Sequence, residues 1–432
     1  MGYYCFLFKL DICCFKISLV RVKIMKILFV SMVPLEYNTS ATIQNKGIIR
    51  GLSALGHDID IMTLRPDENA IGFDESMNDI SQLIRQTYYI EINSKYEKLM
   101  AKKQYSNGKE STKHHNTNIS KMIFRGGRNL LKKIYDNVSI FDAQKANVKG
   151  VSKLVIDYNN YDIIISASDP KSSHLIVDRI LKENMLYDTK WIQYWGDPMF
   201  NDITRKRDWR DPVVKYYEKK LLMKADRIIY ASPLTLEIQK KTFPEFAYKM
   251  DYANQVYANI KDCGIKKSSD VSISVGYFGA YNSAVRDIMP LYNAAKGGDI
   301  KLHISGPSDL SLPDTENITI YGKLSYKEVT MLEEESDILV CICNKTGTQI
   351  PGKIYYCAGY NKPIIVVLDG EYKEALRTYF QSFNRFILCD NNEDSIINAI
   401  KVAKEQLNRK DFEVSHKLTP EYMARKILGM IK

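Results

Sequence analysis

Short, nearly unbroken apolar runs recur along the chain, separated by stretches in which apolar residues return every three or four positions. Lys26-Ile-Leu-Phe-Val-Ser is such a run, rich in the residues that a parallel sheet buries on both faces. After a polar loop, Ile48, Leu52 and Leu55 fall at helical spacing in a segment from Ile43 that stops at Gly56, and Asp58-Ile-Asp-Ile-Met-Thr-Leu begins a second strand. Strand, helix and strand in about 40 residues predict a βαβ unit.

The alternation resumes at Tyr161-Asp-Ile-Ile-Ile-Ser. It continues through a helix from about Ser172, the strand Lys190-Trp-Ile-Gln-Tyr-Trp, a helix from Lys215 to Lys224 and the strand Asp226-Arg-Ile-Ile-Tyr-Ala-Ser. Residues 251–270 break the rhythm. A second series follows: Ser272-Ile-Ser-Val-Gly-Tyr-Phe-Gly, a helix near Asp287–Ala295, Lys301-Leu-His-Ile-Ser-Gly, Ile318-Thr-Ile-Tyr-Gly, a helix at Ser325–Glu335, Asp337-Ile-Leu-Val-Cys-Ile, the apolar run after Pro363, and Arg385-Phe-Ile-Leu-Cys. The pattern predicts an α/β protein of two Rossmann-like, doubly wound parallel-sheet domains, 25–255 and 270–414. They should face each other across a cleft where strand carboxyl ends converge. The tail has a Thr419 cap, Pro420 at the first helical position and apolar spacing, so a C-terminal helix over 415–432 is expected to pack back on the first domain.

A length of 432 residues suits two cores of roughly 200 residues each better than one. The formal net charge of +10 changes the picture less than its distribution does: from Lys98 to Lys133, ten Lys and Arg stand against Glu110 alone. Nucleic acid is therefore not the expected partner. This window also carries Met122, Ile123, Phe124, Leu130, Leu131 and Ile134, and reads either as a basic arm touching an anionic membrane surface or phosphate-bearing substrate, or as a solvated loop. Cys341 and Cys343 lie one residue apart with no second pair nearby, so zinc is not expected, and reduced cysteines in apolar contexts point to a cytoplasmic protein. No apolar run approaches the ~18 residues of a membrane span, so any attachment to the inner face of the cell membrane would be peripheral. Residues 1–24, broken by Lys9, Asp11 and Lys16, read as an N-terminal extension ahead of Met25 rather than a signal peptide.

The loop after the first strand, Ser31 to Thr42, contains no glycine, which removes nicotinamide and flavin dehydrogenases, and no P-loop occurs anywhere. The second domain instead places phosphate-friendly groups at successive strand ends. Gly279 is followed by Asn282 and Arg286, Ser305 by Gly306, and Pro351-Gly352-Lys353 opens a helix. Exposed N–H groups, glycine's close approach and a mobile ammonium would suit a diphosphate leaving group. Taken singly, each is also an ordinary turn.

The order of these stretches carries a resemblance. Tyr277-Phe-Gly-Ala-Tyr-Asn with Arg286-Asp-Ile, then Leu302-His-Ile-Ser-Gly-Pro-Ser-Asp, Ile320-Tyr-Gly-Lys-Leu-Ser-Tyr-Lys-Glu-Val, Ser336-Asp-Ile-Leu-Val and Ile350-Pro-Gly-Lys-Ile-Tyr-Tyr-Cys-Ala-Gly-Tyr-Asn-Lys-Pro resemble the donor half of GT-B-fold glycosyltransferases. Gly51-Leu-Ser-Ala-Leu-Gly-His-Asp-Ile, Ile165-Ser-Ala-Ser-Asp-Pro and Trp191-Ile-Gln-Tyr-Trp-Gly-Asp-Pro resemble the other half. The likeness spans about residues 25–430 and is greatest to the retaining, family 4-like enzymes of bacterial polysaccharide synthesis.

That resemblance implies transfer of a sugar from a nucleotide-diphosphate-sugar donor to a glycan or lipid-linked acceptor in surface polysaccharide assembly, with no further cofactor and no metal. It places Gly279, Asn282, Arg286, Ser305, Gly306, Thr348, Pro351, Gly352, Lys353 and Tyr356 around the donor. Ser40, Trp195 and Asp169 fall on the acceptor side, and Asp197 over the reacting sugar, to accept the acceptor's proton or orient its hydroxyl. Glu36 is a weaker candidate, and His174 is expected to pack against its helix. Two departures stand out: the paired glutamates of many relatives would fall on Thr348 and Tyr356, and the usual arginine after the first glycine-rich turn falls on Ala280. A non-catalytic partner subunit and a nucleotide-sugar epimerase remain the alternatives.

Overall fold

The fold was read from a computed structural model, which describes residues 23–70, 72–92, 139–257, 260–261, 272–297, 300–407, 412 and 414–429. The extension 1–22, the basic window 98–133 and the linker 262–271 lie outside the described residues.

The apolar runs form two all-parallel sheets. The first contains β1 (Lys26–Val30), β2 (Asp58–Leu64), β3 (Gln86–Ile90), β4 (Ile163–Ala167), β5 (Lys190–Trp195), β6 (Arg227–Tyr230) and β7 (Met250–Tyr252), in the order β3-β2-β1-β4-β5-β6-β7. The second contains β8 (Ile273–Phe278), β9 (Ile300–Ser305), β10 (Ile318–Ile320), β11 (Ile338–Ile342), β12 (Ile364–Leu368) and β13 (Ile387–Asp390), in the order β10-β9-β8-β11-β12-β13. Each order reverses after its first strand, which opens a crevice at the strand carboxyl ends. Strands β4, β11 and β12 are buried throughout, as their unbroken apolar sequences require. Two edge strands escape that signal: β3 is half-exposed, and β7 is only three residues long.

Helices cover both faces of each sheet. In the first domain these are α1 (Ser40–Ala54), α2 (Ser172–Glu183), α3 (Asp211–Lys224) and α4 (Pro233–Thr242). In the second they are α5 (Met289–Lys296), α6 (Tyr326–Glu335), α7 (Gly352–Cys357), α8 (Lys373–Gln381) and α9 (Glu393–Gln406). Local chemistry sets their starts. The Thr39 hydroxyl accepts from Thr42 N at 3.1 Å, Ser232 caps α4, and Ser325 and Glu328 form a reciprocal capping box on α6.

The final helix, α10 (Pro420–Gly429), lies on α1, adding Met423, Ala424 and Ile427 to the core formed by Ile48, Ile49 and Leu52. Gly51 permits this, since a Cβ there would stand 2.0 Å from the Pro420 carbonyl oxygen. The chain thus crosses back from the second domain to the first. Among the described residues, Cys341, Cys343, Cys357 and Cys389 are free and buried, and no helix is long and apolar enough to cross a membrane.

Candidate functional site

The carboxyl ends of the two sheets enclose one cleft of ≈ 680 Å³. On the first-domain side, Ser168 and Asp169 follow β4, Gly196 and Asp197 follow β5, and Ser40 and Gln44 come from the start of α1. On the other side, Gly279, Ala280 and Arg286 follow β8, Ser305 and Gly306 close β9, and Lys323, Asn344 and the run Gln349–Lys353 complete the wall. Gly306, at φ 154°, packs so tightly that a Cβ would stand 2.0 Å from the Gly279 carbonyl oxygen. Only glycine lets these two turns touch.

Arg286 is the site's open cation. Its Nε and Nη2 donate to Asn344 Oδ1 at 3.2 and 2.8 Å, and Nη1 donates to the Ala280 carbonyl at 2.7 Å. No carboxylate lies within ion-pair distance among the described residues, so neutral oxygens aim the guanidinium while its charge stays available. Lys323, exposed at the rim, also makes no ion pair among the described residues.

Lys353 lines the same cleft but is differently employed. Its ammonium is ion-paired with Glu333, a buried carboxylate that also accepts from the Tyr360 hydroxyl at 2.6 Å. Burial pulls the Lys353 pKa down, but Glu333 outweighs it and holds the pKa above the usual lysine value. The expectation of a free lysine facing a diphosphate is therefore corrected: most of that charge is answered within the protein.

Gly352 needs a similar correction. A Cβ there would meet Gln255 Oε1 at 2.4 Å and the Tyr356 hydroxyl at 2.8 Å, so its missing side chain makes room for that pair of groups rather than for a ligand. Pro351 and Tyr356 also line the cleft, but Tyr356 reaches across it, its hydroxyl lying 3.0 Å from the Ser40 carbonyl and 2.7 Å from Gln255 Oε1.

Three expected residues do not line the cleft. Trp195 is fully buried against His174, ring centroids 4.1 Å apart, because its side chain falls on the inward face of β5. Thr348 is buried in the seam between domains, its carbonyl accepting from Ser232 and Thr235 at 3.0 and 3.2 Å. Asn282 accepts from Val285 N at 2.6 Å and pairs by main chain with Arg286, so it shapes the turn that carries the arginine. His174 is also buried, its Nδ1 2.8 Å from Ser166 Oγ, and burial pushes its pKa down to about 3.

Asp169 and Asp197 sit at the ends of neighbouring strands and form a charged cluster that the sequence did not reveal. Lys171 Nζ lies 2.5 Å from Asp169 Oδ1 and 2.9 Å from Asp202 Oδ2. Asp197 is hydrogen-bonded to Asp169, and burial, reinforced by the charge of Asp169, pushes its carboxyl up to about 7. A carboxyl tuned to that range exchanges protons at neutral pH. The strand pairing held the clue, since β4 and β5 are adjacent and each aspartate follows its strand by two residues. Lys171, Asp202 and Glu333 gave no such signal, because their roles arise from partners distant in sequence.

No protein-family model matches the chain, and no curated protein matches it in sequence. Its structure is similar to sucrose-phosphate synthase from Thermosynechococcus elongatus, at 13% identity and a TM-score of 0.57, with 94% of this chain and 98% of that one covered. It is also similar to the catalytic domain of starch synthase IV from Arabidopsis thaliana, at 10% identity and a TM-score of 0.55, covering 93% and 95%. The fold is GT-B. In GT-B terms, residues 23–257 and 272–407 are the two halves, α10 is the return to the first, and the cleft lies at their junction.

Proposed function

We propose that the chain is a glycosyltransferase that moves a hexose-like unit from a nucleotide-diphosphate sugar to a glycan or lipid-linked acceptor in bacterial surface polysaccharide assembly. The observation that carries this reading is the polarity of the cleft: a carboxyl poised near neutrality, Asp197, on one wall and an unneutralised guanidinium, Arg286, on the other. The starch synthase of the same fold was solved with ADP bound, which supports a nucleoside diphosphate as ligand here.

In the reaction, the acceptor oxygen bonds to the anomeric carbon while the bond from that carbon to the diphosphate oxygen breaks. The bonding electrons leave on the diphosphate. Arg286, joined by Lys323, stabilises that charge, and the proton lost by the acceptor hydroxyl passes to the Asp197 carboxylate. No step is assigned to a metal.

A screen of nucleotide sugars for nucleotide release tests the proposal, with release expected from the wild type and lost in Arg286→Ala. One observation favours a second reading: Thr348 and Tyr356, at the positions of the paired glutamates, are spent on contacts between domains, as a non-catalytic partner subunit would tolerate. Calorimetry separates the two, because a chain with no affinity for any nucleotide sugar would support the partner reading. Conversion of a nucleotide sugar without acceptor would instead indicate an epimerase.

A further inference from the structure

Helix α3 buries Val214, Glu218, Leu221 and Leu222 against the first domain. Its other face leaves Val213, Tyr216, Lys220 and Met223 exposed at i, i+3, i+7 and i+10, a continuous stripe along the helix. Trp209, just before the helix, is 71% exposed, whereas the other two tryptophans, Trp191 and Trp195, are 2% and 0% exposed. A soluble surface seldom collects tryptophan, tyrosine, methionine and valine in one stripe without a partner for it.

The charges around the stripe are one-sided. Lys206 and Lys220 are exposed and make no ion pair among the described residues, and the Lys220 ammonium lies 4.6 Å above the Tyr216 ring. The neighbouring acids are all answered: Asp208 by Arg210 at 2.7 Å, Asp211 by Arg205 at 2.6 Å and Glu245 by Lys219 at 2.8 Å, while Glu218 faces the core. What remains outward is aromatic, apolar and positive.

The described chain resumes at Ser139, six residues after Lys133, and does so against this helix. Arg210 Nη1 donates to the Ser139 carbonyl at 3.2 Å, and the Phe141 ring meets Tyr217 edge-on at 5.6 Å. In sequence, the window with ten basic residues and one acid ends six residues before this contact, and it lies outside the described residues.

We infer that the exposed face of α3, with Trp209, docks on an anionic lipid surface. Tryptophan and tyrosine favour the headgroup level, lysines extend past an apolar stripe to reach phosphates, and their positive charge adds attraction that salt weakens. The loop that ends at Trp209 begins at Asp197 and passes through the cleft-lining Ile203 and Thr204, so docking sets the cleft close to the membrane.

The test uses the full chain with vesicles of phosphatidylglycerol mixed into phosphatidylcholine, and with phosphatidylcholine alone. Co-flotation with the anionic vesicles should be accompanied by a blue shift of tryptophan emission, absent in Trp209→Phe and reversed by salt. The combined variant Trp209→Ser, Tyr216→Ser, Met223→Ser should keep the wild-type thermal melt yet partition at least about tenfold more weakly. Flotation with no change at Trp209 and unweakened binding of the combined variant would overturn the assignment to this face. So would a wild type that ignores the vesicles, including one whose stripe instead mediates a dimer lost in the combined variant.

Discussion

Lys353 is paired with a buried carboxylate, while Arg286 is held only by carbonyl and amide oxygens, and truncating them should therefore fail in different ways. Lys353→Ala strands the Glu333 charge and should lower stability by about 3–5 kcal/mol in chemical denaturation. Arg286→Ala leaves no carboxylate unpaired, so stability should hold while donor affinity in calorimetry falls by at least about tenfold, as for loss of a charged hydrogen bond. A Lys353→Ala protein of wild-type stability that no longer binds donor would return the lysine to the diphosphate. Asp197 gives a second contrast. After burial, the charge of Asp169 is the main reason that its carboxyl stands at about 7. Asp169→Asn removes that repulsion, which lowers the Asp197 pKa, so the ascending limb of kcat/KM against pH should move to lower pH by about one unit. A limb that stays in place would mean that another group titrates. Sequence exposes residues of this kind only when they recur at strand ends. Arg286 and Asp197 do so, whereas Glu333 and Lys171 matter through neighbours that only the fold supplies.

At the scale of elements, the apolar runs made most strands of both sheets legible, because a strand buried on both faces needs an unbroken apolar sequence. The edges were less so: Gln86-Thr-Tyr-Tyr-Ile exposes part of its surface, and three residues at Met250 carry no period at all. Helix α7 is another case where sequence informs only partly. Its Pro-Gly start is plain, but the element runs for only six residues and its glycine answers to Gln255 and Tyr356 rather than to a ligand. The seat of α10 was similarly hidden, since Gly51 reads as an ordinary helix residue until the Pro420 carbonyl is found above it. Gly51→Val should force α10 away from α1, costing about 1–3 kcal/mol as an overpacked contact does. Amide exchange at residues 420–429 should rise well before that of the sheets. Unchanged protection of those amides would show that the helices slide to accept the side chain.

The whole molecule is held around its cleft by contacts that neither half could make alone. Asp74 Oδ2 accepts from Tyr326 N at 3.1 Å, Ser232 and Thr235 hold Thr348, and Ile203 packs where a side chain on Gly347 would stand, at 1.8 Å. Tyr356 is the contact that lies inside the cleft itself, its hydroxyl between the Ser40 carbonyl and Gln255. A glutamate at this position, as in the enzymes the sequence resembles, would offer those two oxygens no donor at neutral pH. The tyrosine instead acts as a clasp between the two halves. Tyr356→Phe keeps the ring but removes the hydroxyl, and a hydrogen bond of this kind contributes about 0.5–1.5 kcal/mol. The closed arrangement should therefore lose roughly three- to tenfold in population relative to the open one. Small-angle scattering of the ligand-free variant should show a larger radius of gyration, and the donor KM should rise by a similar factor with kcat little changed. If instead kcat collapses while the scattering curve is unaltered, the hydroxyl acts on the reacting groups and the two halves are held by the remaining contacts alone.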